Sequence, residues 1–468
     1  MSIEKSAPKG REWKIEIEKR KRLLTFPLLR FLEIAYFYNK LLSNAKQQLS
    51  NLPTKKKILV VVESIDMEDS SGSKANVALI QNLHKAGFEL LVYHYTRKEI
   101  QLPGITCIAI KEKRWSGLFF LSRLERYIRF LFKISLSKPL EKVFGFSFTL
   151  FNDRNSIIVA LREVEGFKPD LVLTLSKGGS FRPHHALLKM PEMHNKWMAY
   201  IHDPYPMHLY PRPYAWVEPG YLPKWKFVKE MSEKAAFPTF PSQLLKDWMG
   251  SYFKGYLEKG IIIPHQLNEN SDITTIIPSF FEPDKFNILH AGNLLHARNP
   301  EGLIKAFSLF LKKDETRRYK SRLHFVGPTE FHNELLISSA AETPEIVINV
   351  KYIDYSVVKL LQNNAAVNVV LEAKSEISPF LPGKFPQCVV ANKAILLLGP
   401  YYSETRRLLG TNYPFWSEID QVERILNILE DLYEKWNKNE SELNRRDIEY
   451  YLSSEHLKII IDNIAHQE

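Results

Sequence analysis

The sequence predicts an α/β protein with two facing Rossmann-like domains, an interdomain cleft and a basic N-terminal helical leader. Apolar runs of strand length alternate with helical segments twice along the chain, which is the pattern of doubly wound parallel sheets. The 468 residues are too many for one ordinary domain and sufficient for two separate cores. A Pro- and aromatic-rich stretch, 202–220, interrupts the first half and is expected to be irregular.

The predicted order is a leader at 1–54, an acceptor-side domain at 55–272, a second domain at 273–435 and a helical tail at 436–468. The first domain opens with a strand in 55–64, a polar loop and a helix ending near Gly87. Its other predicted strands are FELLVYHY, 105–110, 171–175, 197–201, 236–241 and 261–264. Those of the second domain are 286–291, 322–326, 346–350, 367–371 and 394–398.

The net charge of +11 is concentrated in two segments. Residues 1–50 carry eleven Lys and Arg against five Asp and Glu, and residues 111–142 carry nine against three. Both segments also contain bulky apolar residues, at 26–42 and 115–136. A basic amphipathic helix of this kind is typical of proteins that bind anionic membrane surfaces. The alternative is a helix packed on its own domain with a solvated basic rim. Nucleic acid is not expected as a partner, because no nucleic-acid-binding motif accompanies the charges.

Two cysteines far apart in the sequence, Cys107 and Cys388, argue against a disulfide framework and favour a reducing compartment. No uncharged apolar run reaches transmembrane length, and the first residues lack an apolar signal core. We therefore expect a cytoplasmic protein, peripheral to the inner face of the cell membrane.

A strand, a Gly-containing turn and a helix start follow one another in HAGNLLHARNPEGLIKAF, from His290 to Phe307. Free backbone N–H groups at a helix start, together with the helix dipole, favour a bound anion. The same pattern also occurs at any βα turn of an α/β protein. Here Gly292 lies in the turn and Arg298 at the end of the polar loop.

This stretch resembles the start of the donor-binding domain in GT-B glycosyltransferases of the glycosyltransferase-4-like type. Five other segments fall in the order found in that family: SSGSKANVALIQNLHKAGFELLVY, WMAYIHDPYP, FPTFPSQLLKDWM, IIIPHQL and LHFVGP. The resemblance covers roughly residues 55–435. It implies two Rossmann-like domains, a nucleotide-sugar donor as substrate, and retention of the anomeric configuration.

The resemblance also implies roles for residues of the first half. Gly72 and Ser73 match the family's first loop, which approaches the donor diphosphate and the acceptor. His202 matches the histidine at the end of an acceptor-domain strand, near the reacting sugar, and Asp203 follows it. An isolated histidine at a strand end is otherwise more often structural, and His265, His290 and His296 are weaker candidates.

In the second half the chain departs from the family pattern at the donor site. Asn293 replaces one diphosphate-binding arginine, while Arg298 occupies the position of the family's lysine. The two family glutamates correspond to Pro379 and Gln387, and Gln387 can still accept a hydrogen bond from a ribose hydroxyl. Lys384, in SPFLPGKFPQ, could supply the missing charge. Glu372 is the nearest remaining carboxylate, with a solvated loop position as the alternative.

Sugar transfer from a nucleoside diphosphate requires positive charge at the departing diphosphate, which cations and helix starts supply. No metal or other cofactor is expected, since no Asp-x-Asp follows a strand; Asp66 and Asp69 are interpreted as solvated turn residues. The sequence thus predicts a metal-independent glycosyltransferase acting on a lipid-linked or cell-envelope glycan. The alternatives are a nucleotide-sugar epimerase and a catalytically weakened homologue that binds a glycan or serves as a scaffold.

Overall fold

A computed structural model describes residues 55–267, 276–351 and 353–464. The predicted leader at 1–54, with its helix at 26–42, lies outside the described residues. Within them the chain forms two parallel sheets flanked by helices, and the predicted α/β class is confirmed.

The N-terminal domain contains a seven-stranded sheet in the order β3-β2-β1-β4-β5-β6-β7, with every pair parallel. Its strands are β1 Lys57–Val62, β2 Glu89–His94, β3 Thr106–Ala109, β4 Leu171–Leu175, β5 Trp197–Tyr200, β6 Phe237–Phe240 and β7 Ile261–Ile262. Its helices are α1 Ser71–Lys85, α2 Gly117–Phe132, α3 Ser137–Phe144, α4 Phe148–Arg162, α5 Arg182–Leu187, α6 Tyr221–Lys234, α7 Gln243–Gly250 and α8 Lys254–Lys259.

The C-terminal domain contains a six-stranded parallel sheet in the order β10-β9-β8-β11-β13-β15 and a small β12–β14 pair. Its strands are β8 Phe286–Ala291, β9 Ser321–Val326, β10 Ile346–Asn349, β11 Val367–Leu371, β12 Ile377–Ser378, β13 Ala394–Leu398, β14 Tyr402–Ser403 and β15 Trp416–Ser417. The helices of this half of the chain are α9 Glu301–Lys312, α10 Glu315–Lys320, α11 Asn333–Glu342, α12 Tyr355–Asn364, α13 Phe385–Val390, α14 Glu404–Leu409, α15 Val422–Asn437, α16 Arg446–Tyr451 and α17 Ser454–Ile464.

The central strands are buried on both faces, because helices cover each side of a parallel sheet. In the C-terminal domain β8, β11 and β13 are buried along their whole length. Large aromatic residues fill the space between β8 and the helices α9 and α15, with Phe286, Phe307 and Phe310 fully buried in one core.

The C-terminal segment is helical and packs on both domains. Ile448 and Leu452 pack with Phe385 in the C-terminal domain, whereas Leu457 and Ile461 of α17 join the core beneath β1 of the N-terminal domain. The Lys56 ammonium donates to the carbonyl oxygens of Ile461 and Asp462, each at 3.1 Å. The chain therefore returns to its first domain, because the apolar face of α17 completes that core.

Helix α2, inside the predicted amphipathic segment 115–136, has its polar side turned inward. The buried residues of α2 are Ser122 and Glu125, while Phe120, Tyr127 and Phe130 are more than half exposed. The helix packs on α4 of its own domain, and these three apolar side chains lie outside that contact. None of the described helices is both long and apolar enough to span a bilayer.

Candidate active site in the interdomain cleft

The carboxyl edge of the C-terminal sheet has a natural crevice between β8 and β11. The chain continues from β8 to β9 and β10 on one side, and from β11 to β13 and β15 on the other. Ligands of open α/β sheets bind at such a reversal of strand order. The Lys384 ammonium lies there and donates to the carbonyl oxygens of Ala291, at 3.2 Å, and Val369, at 3.0 Å.

Two cations, Lys384 and Arg298, lie near each other at this crevice. Burial, together with the charge of nearby Arg298, lowers the pKa of Lys384 from 10.5 to about 8. Arg298 comes from the loop after β8, and its Nε is buried with no hydrogen-bond partner among the described residues. The guanidinium is thus left with an unused donor at a site where a second cation is already desolvated.

The turn between β8 and α9 is fixed by its glycine. Gly292 is exposed and has a φ of +132°, a backbone conformation that side chains strongly disfavour. Its N–H donates to the carbonyl oxygen of Val326 at 2.8 Å, which holds the turn against the end of β9. Asn293, the next residue, is exposed, and α9 begins at Glu301.

Glu372 follows β11 and is buried, so the solvated loop position considered from the sequence is wrong. Thr405 Oγ1 donates to Glu372 Oε1 at 2.7 Å. Burial raises the pKa of Glu372, whereas the hydroxyls of Thr405, Ser403 and Ser378 and the charge of Arg298 oppose that shift. Glu372 therefore places a carboxylate within the electrostatic reach of Arg298.

Gln387 lies on α13 and is buried, and its amide nitrogen donates to Asn363 Oδ1 at 3.4 Å. The carbonyl oxygen of Gln387 is the group that would accept a hydrogen bond from a ribose hydroxyl. That role stays a prediction.

Pro379 stands in place of the family's first glutamate. Its carbonyl oxygen accepts a hydrogen bond of 2.5 Å from Ser242 of the N-terminal domain.

A small cavity of about 10 Å³, enough for about one water molecule, brings Arg298 and Glu372 together with Phe380 and with Tyr214 of the N-terminal domain. Tyr210 and Tyr214 belong to the irregular stretch predicted at 202–220, and their ring centroids lie 5.7 and 6.0 Å from that of Phe380. Of these rings, Tyr214 and Phe380 line the cavity, one from each domain.

On the opposite side of the cleft, His202 follows β5. The distance from His202 Nε2 to Asn76 Oδ1 is 2.9 Å, and Asn76 Nδ2 donates to the carbonyl oxygen of Ser176 at 3.0 Å. Asn76 is fully buried on α1 and so ties the first helix to the ends of β4 and β5.

Burial holds the pKa of His202 well below 6.5, and the neighbouring imidazoles of His265 and His184 add to the shift. The ring of His265 stacks on that of His202 with a centroid distance of 5.8 Å. His202 is therefore neutral at physiological pH. A neutral imidazole can exchange hydrogen bonds with sugar hydroxyls but carries no positive charge.

The charge of Arg298, in the C-terminal domain, acts on Asp203 of the N-terminal domain. Burial raises the pKa of Asp203 from 3.8 to about 6, and the charge of Arg298 opposes this shift. The predicted pair His202 and Asp203 thus lies on the acceptor side of the cleft, and Asp203 lies within reach of the charge of the predicted donor-side Arg298.

Gly72 and Ser73 lie in the first turn of α1 and differ in their exposure. Gly72 is partly exposed, and a Cβ on it would lie 4.0 Å from the Lys177 Cα. Ser73 is fully buried, and its backbone N–H and hydroxyl both contact Ser70 Oγ, at 3.1 and 3.0 Å. Ser70 therefore caps α1 by accepting from the Ser73 N–H, and the buried Ser73 hydroxyl lies against the Ser70 hydroxyl.

The sequence also offered His290 and His296 as weaker candidates and interpreted Asp66 and Asp69 as solvated turn residues. His290 is buried within β8, while His296 is exposed, with its ring 5.9 Å from that of Phe331. Asp66 and Asp69 are not free solvated residues, because they form ion pairs with Lys98 and Lys177. Among the described residues, no group of three His, Cys, Asp or Glu side chains is arranged to hold a metal ion.

Sequence reasoning did not single out Asn76, Tyr214 or Phe380. Asn76 had a visible signal, since it shares the apolar face of α1 with Leu79, Ile80 and Leu83, where a polar side chain needs a partner. The sequence contained no such signal for Tyr214 and Phe380, because their proximity depends on how the two domains meet.

No family model matches this sequence, and no curated protein matches it. Solved structures do match. A trehalose-6-phosphate synthase, OtsA, superimposes with a TM-score of 0.58 at 12% identity, over 88% of this chain and 99% of that one. The synthase from Burkholderia xenovorans in complex with glucose-6-phosphate gives 0.55 at 11% identity, over 88% and 100%. The N-terminal domain of Candida albicans trehalose-6-phosphate phosphatase gives 0.57 at 13% identity, over 88% and 97%.

The chain has the GT-B fold. The family resemblance stated from the sequence is confirmed at this level, and the interdomain cleft of the GT-B fold is where the two sets of predicted residues face each other. Fold likeness alone does not carry activity. The chemistry of this GT-B protein has to be argued from Arg298, Lys384, His202 and Asp203.

Proposed function

We propose that the protein is a glycosyltransferase that binds a nucleotide-sugar donor in the interdomain cleft. The observation that carries the proposal is the convergence of Arg298 and Lys384 at the strand-order reversal of the C-terminal sheet, across from His202 and Asp203. Two cations in a desolvated crevice suit the diphosphate of a donor and, above all, the charge that develops as it departs.

Five of the predicted residues have a role in this proposal. Arg298 offers its unused Nε donor to a phosphate oxygen, and Lys384 supplies a second charge without a metal ion. His202, neutral and held by Asn76, hydrogen-bonds a hydroxyl of the transferred sugar. Gln387 and Glu372 would then contact the nucleoside and sugar hydroxyls. The family resemblance favours retention of the anomeric configuration.

The donor needs more room than this cavity provides. A space of about 10 Å³ cannot hold a nucleotide sugar. Donor binding in this proposal separates the ring contact of Tyr214 with Phe380, both of which line the cavity. Loop or domain movements of this kind commonly accompany substrate binding.

The acceptor is proposed to be a lipid-linked or cell-envelope glycan, reached by docking of α2 and α3 on an anionic membrane. Trp115, Phe130 and Val143 are each 70% exposed or more. Exposed apolar residues interspersed with Arg and Lys suit the headgroup region of an anionic bilayer, where both kinds of side chain find partners. The protein would then work at the cytoplasmic face of the membrane.

A second candidate is a weakened homologue that binds a glycan without turnover. It is favoured by Pro379, which replaces a family carboxylate and bonds to Ser242 rather than facing a ligand. An epimerase would use the same donor crevice but gives no role to the exposed face of α2.

Binding of nucleoside diphosphates tests the donor site directly. Isothermal titration with a panel of nucleoside diphosphates should find at least one that binds the wild-type protein and binds Arg298→Ala and Lys384→Ala more weakly. Lys374→Ala is the matched control, because Lys374 is an exposed lysine of the same domain paired with Asp420. No binding by any nucleoside diphosphate, or equal binding by all variants, would refute the proposed donor site.

A further inference from the structure

A carboxylate of the C-terminal domain binds the start of a helix in the N-terminal domain. Glu404, the first residue of α14, is fully buried. Its Oε1 accepts a hydrogen bond from the backbone N–H of Gln243, and its Oε2 accepts one from that of Leu244, each at 3.2 Å. These are the first two N–H groups of α7. Because such groups have no partner within their own helix, Glu404 satisfies them from across the domain boundary.

Arg407, on the same helix as Glu404, holds this carboxylate in place. Its Nη2 donates to Glu404 Oε1 at 2.7 Å, and its Nε donates to Oε2 at 3.0 Å. Each carboxylate oxygen therefore has one partner from each domain. If the domains separate, the ion pair within the C-terminal domain remains and water can replace the two backbone N–H groups. The contact can thus break without leaving an unpaired charge.

Ser242 adds a second bond between the domains at the same helix start. Its Oγ accepts from the Leu245 N–H at 3.0 Å, which caps α7, and its hydroxyl donates to the carbonyl oxygen of Pro379 at 2.5 Å. A serine hydroxyl has one proton to donate, and here that proton is used between the domains. Glu404 and Ser242 together therefore tie the start of α7 to two segments of the C-terminal domain.

The same two segments of the C-terminal domain also form part of the donor cavity. Thr405, next to Glu404, donates to Glu372 Oε1 at 2.7 Å. Phe380, next to Pro379, lines the cavity together with Glu372. A movement of either segment therefore acts both on the cavity and on the contact with α7.

We propose that Glu404 and Ser242 form an interdomain latch that holds the cleft closed while no ligand is bound. With the latch engaged, the adjoining cavity measures about 10 Å³, too little for a nucleotide. The latch therefore has to open before such a ligand enters, and the fraction of open molecules limits the rate of entry. That the ligand is a nucleotide-sugar donor rests on the proposed function; the latch itself does not.

Hydrogen exchange tests the latch in the full-length, ligand-free protein. Exchange of the Gln243 and Leu244 amides is followed by residue-resolved mass spectrometry in the wild type, Glu404→Gln and Ser242→Ala. These amides have no partner within α7, so their protection reports the contact with Glu404. Glu404→Gln should speed their exchange on the order of tenfold or more, the loss expected for hydrogen bonds to a charged group.

Ser242→Ala is the more specific variant, because it leaves Glu404 intact. It removes the bond to Pro379 and the cap on Leu245, so faster exchange at Gln243 and Leu244 would report separation of the domains. Ser147→Ala is its matched control, since Ser147 caps α4 within the N-terminal domain by accepting from the Leu150 N–H at 3.2 Å.

Glu430→Gln is the matched control for Glu404→Gln, since Glu430 pairs with Lys313 and Arg317 within the C-terminal domain. Small-angle X-ray scattering on the same proteins gives the second measurement. Opening of the cleft moves the two domains apart, so both latch variants should have a larger radius of gyration than the wild type without ligand. Both controls should match the wild type in exchange and in radius of gyration.

The third measurement is the rate at which a nucleoside diphosphate that binds the wild type associates, followed by stopped-flow fluorescence. Glu404→Gln should raise the association rate constant on the order of tenfold, because more molecules are open. Faster dissociation with an unchanged association rate constant would show that the contact closes only over bound ligand, and would overturn the proposal.

Wild-type exchange and radius of gyration in both latch variants, with each variant folded by its unfolding temperature, would also overturn the proposal. A cleft that opens in the latch variants while no nucleoside diphosphate binds any protein would count against the proposed donor site alone. Weaker diphosphate binding by Arg298→Ala and Lys384→Ala, with no effect of either latch variant, would count against the latch alone.

Discussion

His202 donates its Nε2 proton to the side-chain oxygen of Asn76 over 2.9 Å. The direction follows from the second bond of Asn76, whose amide nitrogen donates to the Ser176 carbonyl oxygen and so turns its oxygen toward the imidazole. The proton of the neutral ring is therefore on Nε2, and Nδ1 has a lone pair. A sugar hydroxyl can donate to that lone pair.

Replacing Asn76 should lower kcat more than replacing another buried asparagine of the same helix does. Asn76→Ala removes the partner that fixes the His202 tautomer, so kcat should fall on the order of tenfold, about 1.4 kcal/mol of transition-state stabilisation. Asn82→Ala is the matched control, since Asn82 is buried on the same helix and bonds to Ala78 and Leu267. Both variants should lose roughly 1–3 kcal/mol of unfolding free energy. Equal kcat values would remove His202 from the site.

Removing either donor-site cation should weaken transition-state binding. Arg298→Ala and Lys384→Ala should each lower kcat/KM by an amount corresponding to about 1.5–3 kcal/mol, the range for hydrogen bonds to charged groups. Steady-state kinetics with the nucleotide sugar that is turned over gives this value. Wild-type kinetics in both variants would exclude these residues from the donor site.

Donor affinity and stability should depend on pH in opposite directions. The pKa of Lys384 falls from 10.5 to about 8 on folding, so the unfolded chain keeps a proton that the folded protein loses between these values. Stability linked to Lys384 should therefore rise with pH across that window. Affinity for a nucleoside diphosphate should instead fall above about pH 8, because the ligand needs the charged ammonium.

Lys384→Arg separates the two effects, since arginine stays charged throughout this range. Its affinity for the nucleoside diphosphate should be independent of pH between about 7 and 10. A wild-type affinity that is also independent of pH in this range would show that Lys384 does not contact the diphosphate.

The exposed face of α2 should govern membrane binding. Arg129→Glu with Lys133→Glu should weaken flotation with anionic vesicles, and added salt should do the same, because each surface cation contributes about 1 kcal/mol and is screened beyond roughly 10 Å at 0.1 M salt. Phe130→Ala should weaken binding without changing its salt dependence. Lys229→Glu, an exposed substitution on α6, is the control. Equal flotation with neutral and anionic vesicles would contradict the electrostatic contribution to membrane binding. No flotation with either kind of vesicle would contradict membrane docking by α2.

The strands could be predicted closely because both of their faces are buried. Leu171–Leu175, Phe286–Ala291, Val367–Leu371 and Ala394–Leu398 have the bounds expected from the sequence, since short, mostly apolar runs flanked by polar or turn residues leave little choice. The irregular stretch after His202 was also expected, from its proline and aromatic content.

The site could be predicted only as separate pieces. The order of motifs identified Arg298 and Lys384, but their meeting at the end of β8 depends on strand order, which local patterns do not encode. Periodicity separated the two faces of α2 without telling which one turns inward. The return of α17 to the first domain was missed for the same reason, because an apolar face shows that a partner is needed but not where it lies.

The most direct test of the proposed function is donor-dependent glycosyl transfer. Wild-type protein should be incubated with a panel of nucleotide sugars and anionic vesicles carrying envelope lipid extract, and the release of nucleoside diphosphate and of labelled lipid followed together. We predict that one nucleotide sugar gives equal amounts of both products, and that Arg298→Ala releases far less of either. Donor binding without any release across the panel would contradict the glycosyltransferase proposal and favour a homologue that binds without turnover.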